Sequence, residues 1–240
     1  MATIYLIRHG QASFMEANYD VLSEKGHQQA LQLGEYLAQR GLHFEAVYRG
    51  TLKRHEATYA GVAEAYIQVR GNFPEAHIHE GLNEHQAAEI HYRHLPQLLA
   101  QPENQALRQA YEARGRQDPE VKKGLLRLFF QSTRLWALGQ MGAPGDETFA
   151  DFKARVQAGW QALQAQFENL ENILLFSSGG TIAVWLGLIL ELSDEKIIEL
   201  NWQIRNGSIT ELSYSKGKFY LRGFNQTAHY DAFPELLTYV

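Results

Sequence analysis

The chain has 240 residues, of which 45% are hydrophobic and 20% charged, and its formal net charge is -5 at pH 7. These values are ordinary for a soluble globular protein, and the length suits one large α/β domain or two small ones. The negative charge argues against a nucleic-acid partner, because nucleic-acid binders are usually basic. The sequence contains no cysteine, which excludes disulfides, thiol catalysis and thiolate metal sites.

The sequence also argues against a membrane partner. Residues 173–190 are largely apolar, but Ser177–Gly180 interrupts them, and a turn there would leave backbone groups unsatisfied in lipid. We therefore expect a buried strand, a tight loop and a buried helix. Met1–Thr3 lead directly into the first predicted strand, so we expect no signal peptide. The absence of cysteine suits a cytoplasmic location, which we also expect.

The first predicted element is a buried strand, because Thr3–Ile7 are mostly apolar or β-branched. Gly10 lets the chain turn, so Arg8 and His9 should lie at the carboxyl end of the strand, where open α/β sheets bind ligands. A guanidinium can bind two phosphate oxygens at once through a bidentate pair of hydrogen bonds, and a neutral imidazole beside it can act as a nucleophile. The pair favours a phosphate ligand, although a surface arginine and an unrelated histidine would look the same.

Helical and strand patterns then alternate along the chain. Ser23 is placed to cap a helix that runs to about Arg40, and Gly41 follows its end. A short strand at Glu45–Tyr48, a second helical segment and a further short strand within Ala76–His85 come next. This alternation predicts a parallel sheet covered by helices.

Residues 87–142 interrupt the alternation with a long, mostly helical and polar stretch that contains Pro96, Pro102 and Pro119. The stretch is too long for a simple loop and too irregular for a repeat. We expect a helical cap, inserted over the carboxyl-terminal edge of the sheet within a single domain of residues 1–240.

The last third of the chain returns to regular elements. Asp146 is placed to cap a helix whose apolar residues recur every three or four positions from Phe149 to Phe167. The remaining elements are a buried strand, a buried helix and a hairpin, at 173–176, 181–190 and 208–224. The predicted fold class is therefore α/β, with a mostly parallel central sheet and helices on both faces.

Several motifs occur in an order and spacing that resemble a known family. They are Leu6–Gln11, Leu22–Gly26, Leu52–Thr58, Leu82–Glu84, Gly145–Thr148 and Gly223–His229. The first is similar to the phosphohistidine motif of the histidine phosphatase superfamily, also called phosphoglycerate mutase-like. The third is similar to the segment that carries this family's second phosphate-binding arginine, and the fourth to the segment with its proton-donating acid. The resemblance covers nearly the whole chain except the insertion.

The resemblance implies a metal-independent reaction in which His9 attacks phosphorus and becomes transiently phosphorylated. Arg8 and Arg54 would hold the phosphoryl oxygens, and they would lower the pKa of His9 because they disfavour a second positive charge. Glu84 would protonate the leaving alkoxide and then activate the hydrolytic water, with Glu80 as its rival. No cofactor is required.

The predicted partner is a small phosphorylated substrate or a phosphate ion. The predicted phosphate-binding residues are Arg8, Gln11, Ser13, Arg54, Ser178 and Gly179.

One position departs from the family pattern. The family usually has Ser-His-Gly-Gly after its last parallel strand, whereas this chain has Ser177–Gly180, so Ser178 takes the place of the second core histidine. A serine hydroxyl is a shorter donor without charge, and the loss of one such donor typically costs about 10²–10³ in rate. Amides at Gly179 and Gly180 could recover part of this loss. We expect a slowed phosphatase; alternatively, Ser178 only caps the following helix.

Five histidines lie in one stretch, and we considered them as metal ligands: His77, His79, His85, His91 and His94. His77 and His79 share one face of a strand, but the others fall in another element, and the spacing matches no familiar metal motif. We expect no metal site.

The leading functional prediction is metal-independent hydrolysis of phosphomonoesters through phosphohistidine. One alternative is a phosphoglycerate mutase, which must retain its phosphorylated intermediate and would benefit from the histidine that Ser178 replaces. Another is a catalytically weak or inactive pseudoenzyme of the same fold that binds phosphate or a partner. The hydrophobic segment Phe233–Val240 could pack on the chain's own core or on a second copy, so a homodimer is also an expectation.

Overall fold

The computed structural model of the chain describes residues 1–13 and 20–239, without the side chain of Ala87. The chain divides into two compact units. The first consists of Met1–Glu84 and Ala154–Val240 and contains the sheet, and the second is His85–Lys153 and is helical.

The first unit is built on a sheet of six strands in the described residues. The strands are β1 Ala2–Arg8, β2 Ala46–Arg49, β3 Ala76–Ile78, β4 Asn172–Ser177, β5 Ile209–Ser215 and β6 Lys218–Gln226. Their order is β3-β2-β4-β1-β5-β6. The pairs from β3 to β1 are parallel, whereas β5 pairs antiparallel with β1 and β6 pairs antiparallel with β5. The predicted α/β class with a mostly parallel sheet is therefore confirmed.

Eight α-helices occur in the part of the chain that the structure describes. They are α1 Glu24–Gln39, α2 Lys53–Arg70, α3 Ala87–Ala100, α4 Gln105–Arg114, α5 Pro119–Ala137, α6 Phe149–Gln164, α7 Gly179–Leu190 and α8 Asp194–Asn201. None of these helices combines the length and the apolarity that a bilayer crossing requires. The sequence analysis did not anticipate α8, which is only two turns long.

One face of the sheet is covered by α1 and α2. Alternate residues of the central strands, such as Ile7 of β1 and Phe176 of β4, pack with Leu33 and Leu37 of α1 and Val62 of α2. Because side chains alternate across a strand, this period of two directs every second residue of β1 and β4 to the helices. Full burial of one such side chain stabilises the fold by about 1.5–3 kcal/mol.

The other side of the unit contains an aromatic cluster. The ring of Trp160 on α6 lies 4.3 Å from that of Trp185 on α7 and 4.0 Å from that of Phe219 on β6, measured between centroids. Residues 179–187 of α7 are buried throughout. This explains why the α7 segment is apolar on all sides and imitates a membrane span in sequence.

The start of α6 corrects one prediction. Thr148, and not Asp146, caps this helix: its Oγ1 accepts from the Asp151 N–H at 3.1 Å, and Asp151 Oδ2 accepts from the Thr148 N–H at 3.1 Å. Two orphan amides are satisfied reciprocally in such a capping box. Asp146 instead pairs with Arg93 at 2.7 Å, so the predicted cap was wrong by two residues.

Candidate functional site

Strand register brings three loops together at one edge of the sheet. The Cα of Arg8 pairs with that of Ser177 across β1 and β4, and the His9 N–H donates to the Ser177 carbonyl oxygen at 2.9 Å. On the other side of β4, the Gly50 N–H that follows β2 donates to the Phe176 carbonyl oxygen at 3.3 Å. The carboxyl ends of these parallel strands therefore converge, as ligand sites in α/β sheets require.

His9 is buried, with 3% of its surface exposed. Its Nδ1 lies 2.7 Å from the Gly10 carbonyl oxygen. A carbonyl can only accept, so we assign the proton to Nδ1, and Nε2 keeps its lone pair. Burial, followed by Arg54 and Arg8, lowers the pKa of His9 well below 6.5. The ring is therefore a neutral imidazole with the tautomer that a nucleophile needs.

Arg8 is half-buried beside His9. Its Nη1 donates to the backbone carbonyl oxygens of Ile204 and Tyr239, the second at 2.7 Å. These contacts tie the arginine at the end of β1 to the chain after α8 and to the C-terminal segment.

Arg54 lies on the first turn of α2 and is 5% exposed. Its Nη1 donates to Asp20 Oδ1 at 2.9 Å, while Asp20 Oδ2 accepts from the Lys53 N–H at 2.9 Å. One carboxylate thus caps α2 and anchors the guanidinium. The sequence analysis missed Asp20, because nothing in its local pattern relates it to a helix that begins 33 residues later.

Glu84 lies at the amino end of α7. Its Oε2 accepts from the Gly180 N–H at 3.1 Å. Glu80, its rival in the sequence analysis, lies in a 3-10 turn, Glu80–Leu82, and is exposed. Of the two carboxylates, Glu84 therefore contacts the amino end of α7, whereas Glu80 is exposed.

The segment before Glu84 is held from two helices. Thr181 Oγ1 on α7 donates to the Asn83 carbonyl oxygen at 2.8 Å. The Arg155 guanidinium on α6 donates to the carbonyl oxygens of Asn83 and Glu84, both at 3.2 Å. The sequence analysis also missed Arg155, since the periodicity of α6 identifies only its apolar face.

Ser178 occupies the N-cap position of α7, but its side chain makes no capping hydrogen bond. Its Oγ lies 2.7 Å from Nε2 of His55, and both residues have no exposed surface. Ser178 therefore stands at the N-cap position, as the alternative interpretation expected, but its hydroxyl contacts His55 and not the helix amides. His55 follows Arg54 on α2, and its ring centroid is 5.7 Å from that of His9. The sequence analysis did not single out His55.

The three remaining predicted phosphate ligands are Gln11, Ser13 and Gly179. The Gln11 side-chain oxygen accepts from Ser23 Oγ at 3.0 Å. Ser13 follows in the same loop and is half-buried. A Cβ placed on Gly179 would lie 3.5 Å from Arg8 Nε, so this glycine borders the arginine.

The five clustered histidines have five different environments. His77 lies beside Tyr48, His79 beside Gly81, His85 beside Trp136, His91 beside Ser132 and His94 beside Gln97. Within residues 1–13 and 20–239, no three His, Cys, Asp or Glu side chains are arranged to hold a metal ion.

The sequence matches a family model over most of its length. The model for the histidine phosphatase superfamily (branch 1) matches residues 4–123 and 126–227. A 2,3-bisphosphoglycerate-dependent phosphoglycerate mutase from Porphyromonas gingivalis is 26% identical over 218 residues, which cover 84% of this chain and 83% of the relative.

Two solved structures have a similar fold. The alpha-ribazole phosphatase from Shigella flexneri has a TM-score of 0.62 at 21% identity, covering 93% of this chain and 96% of its own. The phosphoserine phosphatase from Entamoeba histolytica, in complex with 3-phosphoglyceric acid, has a TM-score of 0.62 at 21% identity, covering 95% and 99%. At this identity the likeness establishes a shared architecture over nearly the full length.

Proposed function

This chain belongs to the histidine phosphatase superfamily, and we propose that it hydrolyses small phosphate monoesters, without a metal, through a phosphohistidine on His9. The observation that carries the proposal is the state of His9. The imidazole is buried and neutral, Nδ1 is engaged by a carbonyl, and two arginines lie close enough to lower its pKa. An imidazole must be neutral to attack phosphorus, and this environment keeps His9 neutral with Nε2 unprotonated.

The reaction has two steps. Nε2 of His9 attacks phosphorus, the ester P–O bond breaks, and Glu84 gives its proton to the leaving alkoxide. Glu84 then takes a proton from water, whose oxygen attacks phosphorus; the P–N bond breaks, its electron pair returns to Nε2 of His9, and inorganic phosphate is released. Arg8 and Arg54 neutralise the charge on the phosphoryl oxygens in both transition states, so positioning and electrostatics supply most of the acceleration.

A phosphoglycerate mutase is a second candidate, because the Porphyromonas gingivalis relative carries that name. A mutase passes the phosphoryl group from histidine to a second substrate hydroxyl, whereas a hydrolase passes it to water. The two differ in whether inorganic phosphate accumulates.

The deciding experiment measures phosphate release from para-nitrophenyl phosphate in the presence of chelator. We expect turnover by the wild type and a loss of about 10³-fold or more in His9→Ala, because the nucleophile is gone. His27→Ala is the matched control, since His27 is an exposed histidine on α1, and should keep full activity. Mass spectrometry after a rapid quench should find an acid-labile phosphoryl adduct on His9.

Three outcomes would count against the proposal. Turnover by His9→Ala equal to that of the wild type would exclude a phosphohistidine intermediate on His9. Transfer between phosphoglycerates without phosphate release would favour the mutase. An inert wild type that still binds phosphate would favour the pseudoenzyme.

A further inference from the structure

We propose that His55 is a positioning residue of this site and acts on the phosphoryl group through the hydroxyl of Ser178. The inference rests on the proposed function and adds a second histidine to it. His55 would supply, from the start of α2, an imidazole that supports the serine hydroxyl at the start of α7.

The geometry is that of a preformed buried pair. Nε2 of His55 and Oγ of Ser178 are 2.7 Å apart, and neither residue has exposed surface. Ser178 follows β4, the strand between those that lead to His9 and to Gly50. The serine hydroxyl therefore lies at the sheet edge where a phosphoryl group on His9 would be bound.

The direction of the hydrogen bond decides what Ser178 can do. A serine hydroxyl has one proton and two lone pairs. If His55 Nε2–H donates to Oγ, the serine proton is available to a phosphoryl oxygen. If the serine donates to Nε2 instead, it turns lone pairs towards the anion. A bound phosphoryl group therefore selects the Nε2–H tautomer, and each bond in the chain from imidazole to hydroxyl to oxygen polarises the next.

His55 can perform this role without changing charge. Burial, followed by Arg54 and Arg49, lowers its pKa well below 6.5, so the ring stays neutral. Nδ1 of His55 has no hydrogen-bond partner in the described structure. The hydrogen bond between Nε2 and Ser178 is therefore the polar contact that orients the His55 ring. We assign no proton transfer to His55.

The backbone around the ring is shaped to admit it. A Cβ on Gly50 would collide with His55 Nδ1 and would lie 2.5 Å from Asn83 Oδ1. Gly50 therefore provides the volume that the imidazole occupies. An apolar side chain of similar size would fill that volume as well but could not donate to Ser178, and this difference makes the inference testable.

The test is a double-mutant cycle between His55→Leu and Ser178→Ala on para-nitrophenyl phosphate. Each single variant should lower kcat by about 10- to 100-fold with less than about a 3-fold change in KM, and the double variant should lose no more than either single one. His55→Gln, whose amide nitrogen can reach the position of Nε2, should recover most of the loss. The soluble variants should remain folded at the assay temperature, as thermal unfolding will show, although loss of the buried hydrogen bond lowers their stability.

A matched control comes from the second unit. His91 is also buried, and its Nδ1 lies 2.7 Å from Ser132 Oγ. His91→Leu therefore removes a similar buried pair, and it should lower stability while leaving kcat within about 3-fold. Full kcat in His55→Leu, or losses that multiply in the double variant, would overturn the inference.

The design separates the inference from the proposed function. If His9→Ala behaves as expected and the cycle shows no coupling, only the role of His55 fails. If His55→Leu does not fold, the cycle is made with His55→Ala, and full kcat in Ser178→Ala alone overturns the inference. If the wild type is inert, the same variants are compared by the Kd for inorganic vanadate, which should weaken equally in both single variants and no further in the double.

Discussion

At His9, burial and charge act in the same direction. Burial is the largest cause of its low pKa, and Arg54, Arg8 and His55 add to it. An imidazole of ordinary pKa would be about nine-tenths protonated at pH 5.5 and could not attack phosphorus. In this chain, His9 keeps its lone pair at pH values well below 6.5, because burial and the two arginines make the histidine less basic.

This predicts the position of the acid limb in the pH profile of kcat/KM. In the wild type, the acid limb caused by His9 should lie well below pH 6.5, where an ordinary imidazole would place it, because burial and the two arginines lower the pKa of His9. In Arg54→Gln, the loss of one cation should raise the pKa of His9, so the acid limb should move to higher pH while overall activity falls. Since kcat/KM reports the free enzyme, assays from pH 4.5 to 8 measure this directly.

The control for this profile is Lys53→Gln, which removes an exposed cation from the same turn of α2. Its acid limb should coincide with that of the wild type. A limb that stays in place in Arg54→Gln would mean that the arginine does not set the protonation of His9.

At the scale of elements, the site depends on how closely the Glu80–Leu82 turn approaches α6. A Cβ on Gly159 of α6 would lie 2.7 Å from the Cα of Gly81, closer than any real contact of this kind. Two glycines therefore allow a backbone-to-backbone approach. Arg155, one turn earlier on α6, donates to the backbone carbonyl oxygens of Asn83 and Glu84, the proposed acid.

Gly159→Ala should displace this turn and with it Glu84. We expect kcat to fall at least 10-fold and the free energy of unfolding to drop by about 1–3 kcal/mol, the usual cost of overpacking. The control is Ala158→Ser, an exposed position on the same helix, which should change neither quantity. Kinetics and urea denaturation of both variants test this, and unchanged kcat in Gly159→Ala would show that the turn does not position the acid.

At the scale of the whole molecule, buried histidines link stability to pH. The pKa is lowered well below 6.5 for His9 and His55 and to about 4 for His91 and His229, mainly by burial. The unfolded chain takes up these protons near pH 6.5, whereas the folded chain does not. Stability is therefore complete above about pH 6.5 and is lost as the pH falls towards 4, by up to about 1.4 kcal/mol per pH unit for each histidine.

His91→Gln should weaken this dependence. Because the variant has one buried imidazole fewer, its free energy of unfolding should fall less than that of the wild type between pH 6.5 and pH 4.5. The difference should equal about the contribution of one histidine, although the variant is less stable at pH 7.5. Urea denaturation at three pH values measures the slope. His27→Gln, at an exposed position, should keep the slope of the wild type, and an unchanged slope in His91→Gln would refute the assignment.

Local patterns predict much of this architecture. The apolar run before Arg8 predicts β1, the period of α1 predicts its buried face, and Ser23 caps that helix as expected. These features depend on neighbours within a few positions, so sequence alone can carry them. The patterns are less reliable at element ends, where Thr148 rather than Asp146 caps α6, and for elements as short as α8.

The sequence by itself determined most of the order of strands and helices along the chain and the motif around His9. Tertiary structure alone decided which side chains meet. His55 and Ser178 are 123 positions apart, Arg54 and Asp20 are 34 apart, and Arg155 and Glu84 are 71 apart. No local period connects such pairs, because their contacts arise only when parallel strands align their carboxyl ends and the helices between them pack.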